Sequence, residues 1–419
     1  MVANLTTPLI GIVATIAIGR LGDPAQLGGM ALTSVIFDSL FWLFAFLRMG
    51  TIALTAQALG AGETQEIRAL LLRGLMVAAV TGVALIALQI PLNAMLVGAM
   101  GGSESVTRSA RVYFGIRIWS APLAFANYVV LGWLVGQARA RLALVLQIAI
   151  NLVNVAATAW LVLEAGNGIA GAAIAAVIAE AAGVALGVLI AWRLMRGKPG
   201  ISRATLFDRA KLMRMVALNR DIMIRTAAMI AVFLFFTAQG ARAGDVILAA
   251  NAVLNNFLMI SAFFLDGLAN AAEQLCGRAC GARDRAAFSG AVRLVMLWGT
   301  GFALAVIAVF VLAGPSLIDA MTASANVRQA ARDMLWFVAL SPILAVFAFA
   351  YDGIFIGATW ARDMRNLMML SLLVFFAAWF SLKSFGNAGL WGAMLVFYAA
   401  RGGLQALRYP SLLRASFRE

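Results

Sequence analysis

The chain has 419 residues, 63% hydrophobic and 12% charged, which leaves too little polar surface to coat a water-soluble globule of this length. Its net charge of +14 arises from 32 Lys and Arg against 18 Asp and Glu; the basic residues fall in short loops, where membrane topology explains them without a nucleic-acid partner. No polar stretch of domain size interrupts the apolar segments, so the composition excludes a soluble enzyme and predicts an all-α polytopic membrane protein.

In chain order, apolar runs able to cross a bilayer begin at roughly 1, 29, 70, 112, 142, 168, 222, 246, 289, 335, 367 and 388, against a requirement of about 20 residues each. That predicts twelve transmembrane helices in two sets of six. The first opens M-V-A-N-L-T-T-P, short at its start, and lacks the basic region and cleavage site of a signal peptide. Pro91 near the end of span 3 and Pro122 in span 4 mark bends that are tolerated where neighbours satisfy the freed carbonyls. The predicted organisation is a first lobe over residues 1–195, a basic cytoplasmic linker over 196–221, a second lobe over 222–406 and a tail over 407–419. Most Lys and Arg fall in loops 2–3, 4–5, 6–7, 8–9 and 10–11 and in the tail, with only Arg48 and Arg117 counted inside spans, so both termini are predicted to be cytoplasmic. The segment 193–225 is the most basic; it reads as a positive-inside linker, or as a lipid-headgroup contact.

Two echoes divide the chain. Tyr351–Arg365, Y-D-G-I-F-I-G-A-T-W-A-R-D-M-R, matches Leu131–Leu142, L-G-W-L-V-G-Q-A-R-A-R-L, at an offset of 221 positions, which puts Gly132 on Gly353, Gly136 on Gly357 and Arg141 on Arg362. Gln57–Glu63 falls on Arg278–Asp284 at the same offset. Two matches with one shared offset predict homologous halves. Six spans separate the copies, so the halves have one orientation, related by a pseudo-twofold along the membrane normal with a cavity between them.

The chain has no His, and Cys276 and Cys280, one turn apart, cannot complete a four-ligand zinc site within it; they read as packing residues. No P-loop, G-x-S-x-G or H-E-x-x-H occurs, so no enzyme, primary pump, metal or cofactor is predicted. What remains are polar groups inside spans, where a carboxylate costs ~2.5–3.5 kcal/mol and needs a partner, a watery cavity or a proton. On span 8, Asn255, Asp266, Asn270 and Glu273 recur at i, i+11, i+15 and i+18, one narrow face at about 100° per residue. Asp352 on span 10 directly precedes the repeated Gly353, where the first half has Leu131. The bland alternative is neutralisation of these acids by Arg242 or nearby backbone. Span 5 carries Gln147, Asn151, Asn154 and Thr158 on one face, suited to interhelical hydrogen bonds as well as to a ligand. Span 1 lines up Asn4, Thr7, Gly11 and Ala14. Asp38 and Glu180 are further embedded acids, for which Arg48 is the candidate partner. Phe37, Trp42, Phe264 and Tyr351 suit cation–π contact with a drug, and equally suit packing against lipid.

L-G-D-P-A-Q-L-G-G at Leu21–Gly29, F-L-R-M-G-T-I-A-L-T-A-Q-A-L-G-A-G at Phe46–Gly62, L-D-G-L-A-N-A-A-E at Leu265–Glu273 and the Tyr351 segment together resemble the MATE family of multidrug and toxic-compound extruders, in its bacterial DinF-type branch, over essentially the whole chain. The resemblance implies the MATE/MOP-type fold of two pseudo-symmetric six-helix lobes in a bacterial inner membrane. It also implies a monomer that exports small amphipathic, often cationic, organic compounds by alternating access, driven by inward protons or sodium. In that branch span 1 carries an aspartate in V-D-T, where this chain reads Val13-Ala14-Thr15; span 5 ends N-x-x-N-x-x-x-D, where it reads Thr158. Ala and Thr exchange no proton near neutral pH, so the first-lobe protonation implied by the resemblance cannot operate at these positions. Three accounts compete: coupling moved to Asp266, Glu273 and Asp352 in the second lobe, which leads; an uncoupled or degenerate paralogue; or loss of the acids by engineering or gene decay. A runner-up function is a lipid-linked oligosaccharide flippase, which needs arginines to meet a pyrophosphate. With Arg48 and Arg117 as the embedded bases against at least five embedded acids, cationic cargo is the better match. A receptor or scaffold is disfavoured by the lack of a sizeable extramembrane domain.

Overall fold

The structure, a computed structural model, describes residues 11, 13–197 and 200–417; Asn4 and Thr7 lie outside the described residues. Ten helical segments among them are long and apolar enough to cross a bilayer, and they contain no strand. The last segment runs over 56 residues and comprises two helices that pack together, so it supplies two spans. The described residues divide into two compact units, those up to 59 with those from 63 to 216, and those from 217 onward with 60–62.

The first unit contains α1 (Pro24–Leu43), α2 (Phe46–Gly60), α3 (Thr64–Ala87), α4 (Gln89–Ala99), α5 (Glu104–Arg117), α6 (Ala121–Gly136), α7 (Ala140–Ala159), α8 (Gly168–Met195), the short α9 (Arg203–Leu206) and the start of α10 (Arg209–Arg242). Its spans are interrupted. Between α5 and α6 a 3-10 turn, Ile118–Ser120, precedes Pro122, which falls in the first turn of α6, where a missing N–H removes no helical bond. A π turn, Trp160–Glu164, closes α7. The second unit continues α10 and adds α11 (Asp245–Gly281), α12 (Arg285–Met321), α13 (Ala325–Gly357), α14 (Ala361–Leu382) and α15 (Gly386–Ser416). Most of these helices are longer, and Pro315, Pro342 and Pro410 lie inside them without breaking them. Most observed helices begin before the apolar runs do. Polar first turns are closed by side-chain caps, since Ser103, Asp284 and Ser324 accept from the amides of Val106, Ala287 and Val327, and a capped turn persists outside hydrocarbon.

The repeat exists in three dimensions. Gly132 and Gly136 on α6 lie against the main chain of α2 at the oxygens of Arg48 and Ile52; Gly353 and Gly357 on α13 lie against α11 at the oxygens of Ala269 and Glu273. Each of these residues has its counterpart 221 positions away. The turns that follow repeat too: Gly62 (φ 73) corresponds to Arg283 (φ 54), and Ala138 (φ 60) to Thr359 (φ 59). Small residues let paired backbones approach within a membrane, where apolar burial alone gives helices little reason to associate.

The stretch expected as linker, 196–221, is largely helical. Arg73 on α3, with no exposed surface, donates to Glu66 Oε1 at 2.6 Å, to the carbonyl of Leu206 at 2.9 Å and to that of Thr205. Lys211 donates to Glu66 Oε2 at 2.9 Å. The end of α9 and the start of α10 are thereby fastened to the first lobe.

Candidate functional site

In the second lobe Asp352, 3% exposed on α13, is held by three side chains. Its Oδ2 is ion-paired to Arg225 on α10 and to Arg401 on α15, and Oδ1 accepts from Gln405 Nε2 at 2.8 Å. The Arg401 guanidinium also lies over the Phe349 ring, 5.2 Å from its centre. Asp266 and Glu273 on α11 act electrostatically on Arg225, and Asp266 also on Arg401. Three acids and two arginines from four helices thus form one cluster with a formal excess of one negative charge. Glu273 is buried, and Asn255, Asp266 and Asn270 are half-buried along the same helix.

Two expectations are corrected here. Asp352 is not an acid open to a watery vestibule; it is buried and clamped by arginines. Nor are Arg48 and Arg117 the only embedded bases: Arg68, Arg73, Arg225 and Arg401 are all buried. The helices outrun their apolar cores, so basic residues that hydropathy places in loops at the ends of spans sit inside packed helices. Arg225 and Arg401 find their acid on a third helix, a relation no local spacing reports. Arg401 and Gln405, four apart on one face of an apolar helix, are the local signal of this site in the sequence.

In the first lobe the polar stripe of α7 bonds along its own helix. Gln147 Nε2 donates to Asn151 Oδ1 at 3.0 Å, and Thr158 Oγ1 donates to Asn154 Oδ1 at 3.4 Å. Asn151, Asn154 and Thr158 are buried, and Ala14 is half-buried. Asp38 is exposed on the surface of its lobe. Glu180 on α8 accepts from Asn127 Nδ2 on α6 at 2.7 Å. Arg117, rather than Arg48, is the cation that acts on both Asp38 and Glu180. Its guanidinium lies 5.4 Å from the centre of the Phe37 ring and 5.9 Å from those of Phe41 and Tyr113, a cation–π cage already filled from within the chain. Of the other aromatic candidates, Phe264 packs on Phe302, and Tyr351 on Phe355 and Tyr409. Cys276 is buried and Cys280 half-buried, and neither is in a disulfide.

Comparison with known proteins decides the family. The family model MatE matches residues 1–160 and 222–378. The DNA damage-inducible protein F of Escherichia coli is 39% identical over 403 residues, covering 96% of this chain and 87% of that protein. The chain belongs to the MATE family. A protein of Rhizobium meliloti named as a probable multidrug resistance protein, NorM, is 26% identical, covering 98% of this MATE chain and 91% of its own length. Among solved structures, a MOP-superfamily transporter from Pyrococcus furiosus, described as having a binding pocket of reverse polarity, superposes with a TM-score of 0.88 at 18% identity, covering 100% of this chain and 94% of that one. An outward-facing multidrug resistance transporter of the MATE family also gives 0.88, at 19% identity, covering 99% and 94%. Both likenesses establish the fold. This MATE protein is therefore a multi-pass membrane protein whose relatives include multidrug transporters, and it has Ala14 and Thr158 at the two positions where the DinF-type resemblance implies aspartates.

Proposed function

We propose that the protein is a secondary active transporter that exports small amphipathic organic compounds by alternating access, powered by inward movement of protons or sodium. It works as a monomer in a bacterial inner membrane with both termini in the cytoplasm. The observation that carries this reading is the charge cluster of Asp266, Glu273, Asp352, Arg225 and Arg401 in the second lobe. Five embedded charges on four helices are costly in a bilayer and are retained where ions or substrates are handled. With Asp352 balanced by arginine, Asp266 becomes the leading coupling acid, and the net negative charge of the cluster favours cationic cargo. In proteoliposomes loaded with a fluorescent cationic dye, an imposed proton or sodium gradient should drive dye movement, and Asp266→Asn should abolish the response to the gradient. Gradient-driven transport that survives Asp266→Asn removes the coupling role from this cluster.

A second reading has its own support. Arg225 Nε, Arg401 Nε and Arg401 Nη1 are buried and make no hydrogen bond, and guanidinium groups are suited to phosphate recognition. A lipid-linked oligosaccharide flippase would use them to meet a pyrophosphate. Scrambling of a fluorescent lipid-linked sugar, abolished by Arg401→Leu and indifferent to ion gradients, is the outcome that would replace the first reading with the second.

A further inference from the structure

The first lobe holds an acid that the cluster in the second lobe does not involve. Glu180 is the thirteenth residue of α8, in a helix otherwise made of Ala, Gly, Val, Ile and Leu through its middle. Its Oε2 accepts from Asn127 Nδ2 at 2.7 Å, and the same amide nitrogen donates to the main-chain oxygen of Glu180 at 2.9 Å. Among the described residues no basic side chain forms an ion pair with it. Asn127 is 2% exposed, and its Oδ1 is buried without a hydrogen-bond partner.

That orphaned oxygen distinguishes the two states of Glu180. An ionised carboxylate only accepts, so it uses the Asn127 NH2 group and offers nothing to the amide oxygen. A protonated carboxyl has an O–H to donate as well as an oxygen that accepts, and a primary amide is its complement on both counts. Taking up a proton therefore removes a charge from membrane depth and supplies the kind of donor that Asn127 lacks. The local sequence is shaped for this partner. Gly183 lies one turn beyond Glu180, and a Cβ there would come within 2.7 Å of Asn127 Nδ2 and within 2.6 Å of Ile150; only glycine leaves the amide its place.

The charged and titratable neighbours come from α1, α2, α5 and α6. Arg117 of α5 acts on Glu180 directly, within its cage of Phe37, Phe41 and Tyr113. Tyr128 of α6 is coupled to Glu180, and Asp38 of α1 and Arg48 of α2 act on that tyrosine. From α7 the residue packed at Gly183 is the apolar Ile150.

We propose that Glu180, paired with Asn127, carries a proton in the first lobe and fills the titratable role that Ala14 and Thr158 cannot. The use of that proton in transport rests on the proposed transporter reading; its presence on Glu180 does not.

Infrared difference spectra of the purified protein in lipid nanodiscs, recorded as the pH is lowered from neutral, test the protonation. Of the carboxylic C=O bands that grow in the native protein, one should be missing from Glu180→Gln and shifted in Asn127→Leu. Glu180→Gln keeps the shape and the acceptor for Asn127, so it folds. In proteoliposomes the same variant should lose proton-driven dye movement while still binding dye. Spectra of Glu180→Gln that retain the band overturn the proposal, and so does proton-driven transport that survives Glu180→Gln. A band that is lost in Glu180→Gln while the native protein shows no gradient-driven movement supports the protonation site and overturns the transporter reading instead.

Discussion

Gly136 and Gly357, 221 positions apart in the chain, do the same work in different lobes: each lies flat against a carbonyl of its partner helix, Ile52 O for one and Glu273 O for the other. A Cβ would come within 2.8 Å and 2.6 Å of those oxygens, and neither can retreat, because both belong to helical backbone. Gly136→Ala and Gly357→Ala should each cost about 1–3 kcal/mol through overpacking. Thermal unfolding in detergent checks this. Gly115→Ala, with nothing within 4 Å of the added carbon, serves as the neutral control.

Arg283 should be improvable. It holds φ 54 where its repeat partner Gly62 holds φ 73, and a non-glycine residue in the left-handed region costs roughly 1–2 kcal/mol. Arg283→Gly relieves this at the cost of some unfolded-chain entropy, for a net gain of up to about 1 kcal/mol. A raised melting temperature is the expected result. Gly62→Arg should lower it.

Breaking the ion-paired triad of Asp352, Arg225 and Arg401 on one side should be worse than removing the triad. Asp352→Asn leaves Arg225 and Arg401 buried without their carboxylate and should destabilise by about 3–5 kcal/mol, seen as a fall in monodisperse yield. Replacing all three charges together, Asp352→Leu with Arg225→Met and Arg401→Met, should recover most of that yield. If the triple variant folds no better than Asp352→Asn, the cluster is not the source of the loss.

Arg73 fastens α9 to the first lobe through two main-chain oxygens, its guanidinium held by Glu66 of its own helix. Lysine cannot reproduce a planar fork with several donors. Arg73→Lys should therefore raise the rate of tryptic cleavage around Arg203 about tenfold, the equivalent of losing roughly 1.4 kcal/mol of local stability. Equal cleavage rates would show that α9 is held by other contacts.

Asp23 caps α1 from just outside the membrane span, accepting from Gln26 Nε2 and from the amide of Ala25, both at 2.9 Å. The Gln26 hydrogen bond first, then that of Ala25, holds its carboxyl below the usual carboxylate range. A folded-state value lower than the unfolded one means the cap stabilises above the ordinary Asp titration and is lost as pH falls through the lowered value. Hydrogen exchange at Ala25 should speed up in Asp23→Ala at neutral pH, and the difference from the native protein should disappear in strong acid.

The sequence by itself determined the solvent, the all-helical membrane-spanning class and the duplication. Those follow from hydropathy summed over some twenty residues and from glycines at a fixed offset, both properties of one helix or of two aligned segments. It also revealed that Ala14 and Thr158 cannot titrate. Only the tertiary structure decided which charges are neutralised. Asp352 meets Arg225 and Arg401 across more than a hundred and about fifty positions of chain respectively, Arg117 rather than Arg48 serves Asp38 and Glu180, and the Asn127 oxygen beside Glu180 is left without a donor. Helical periodicity reports which way a side chain points along its own helix; it carries no information about which other helix stands opposite. In a bilayer that opposing residue sets whether an acid is a salt bridge or a proton carrier.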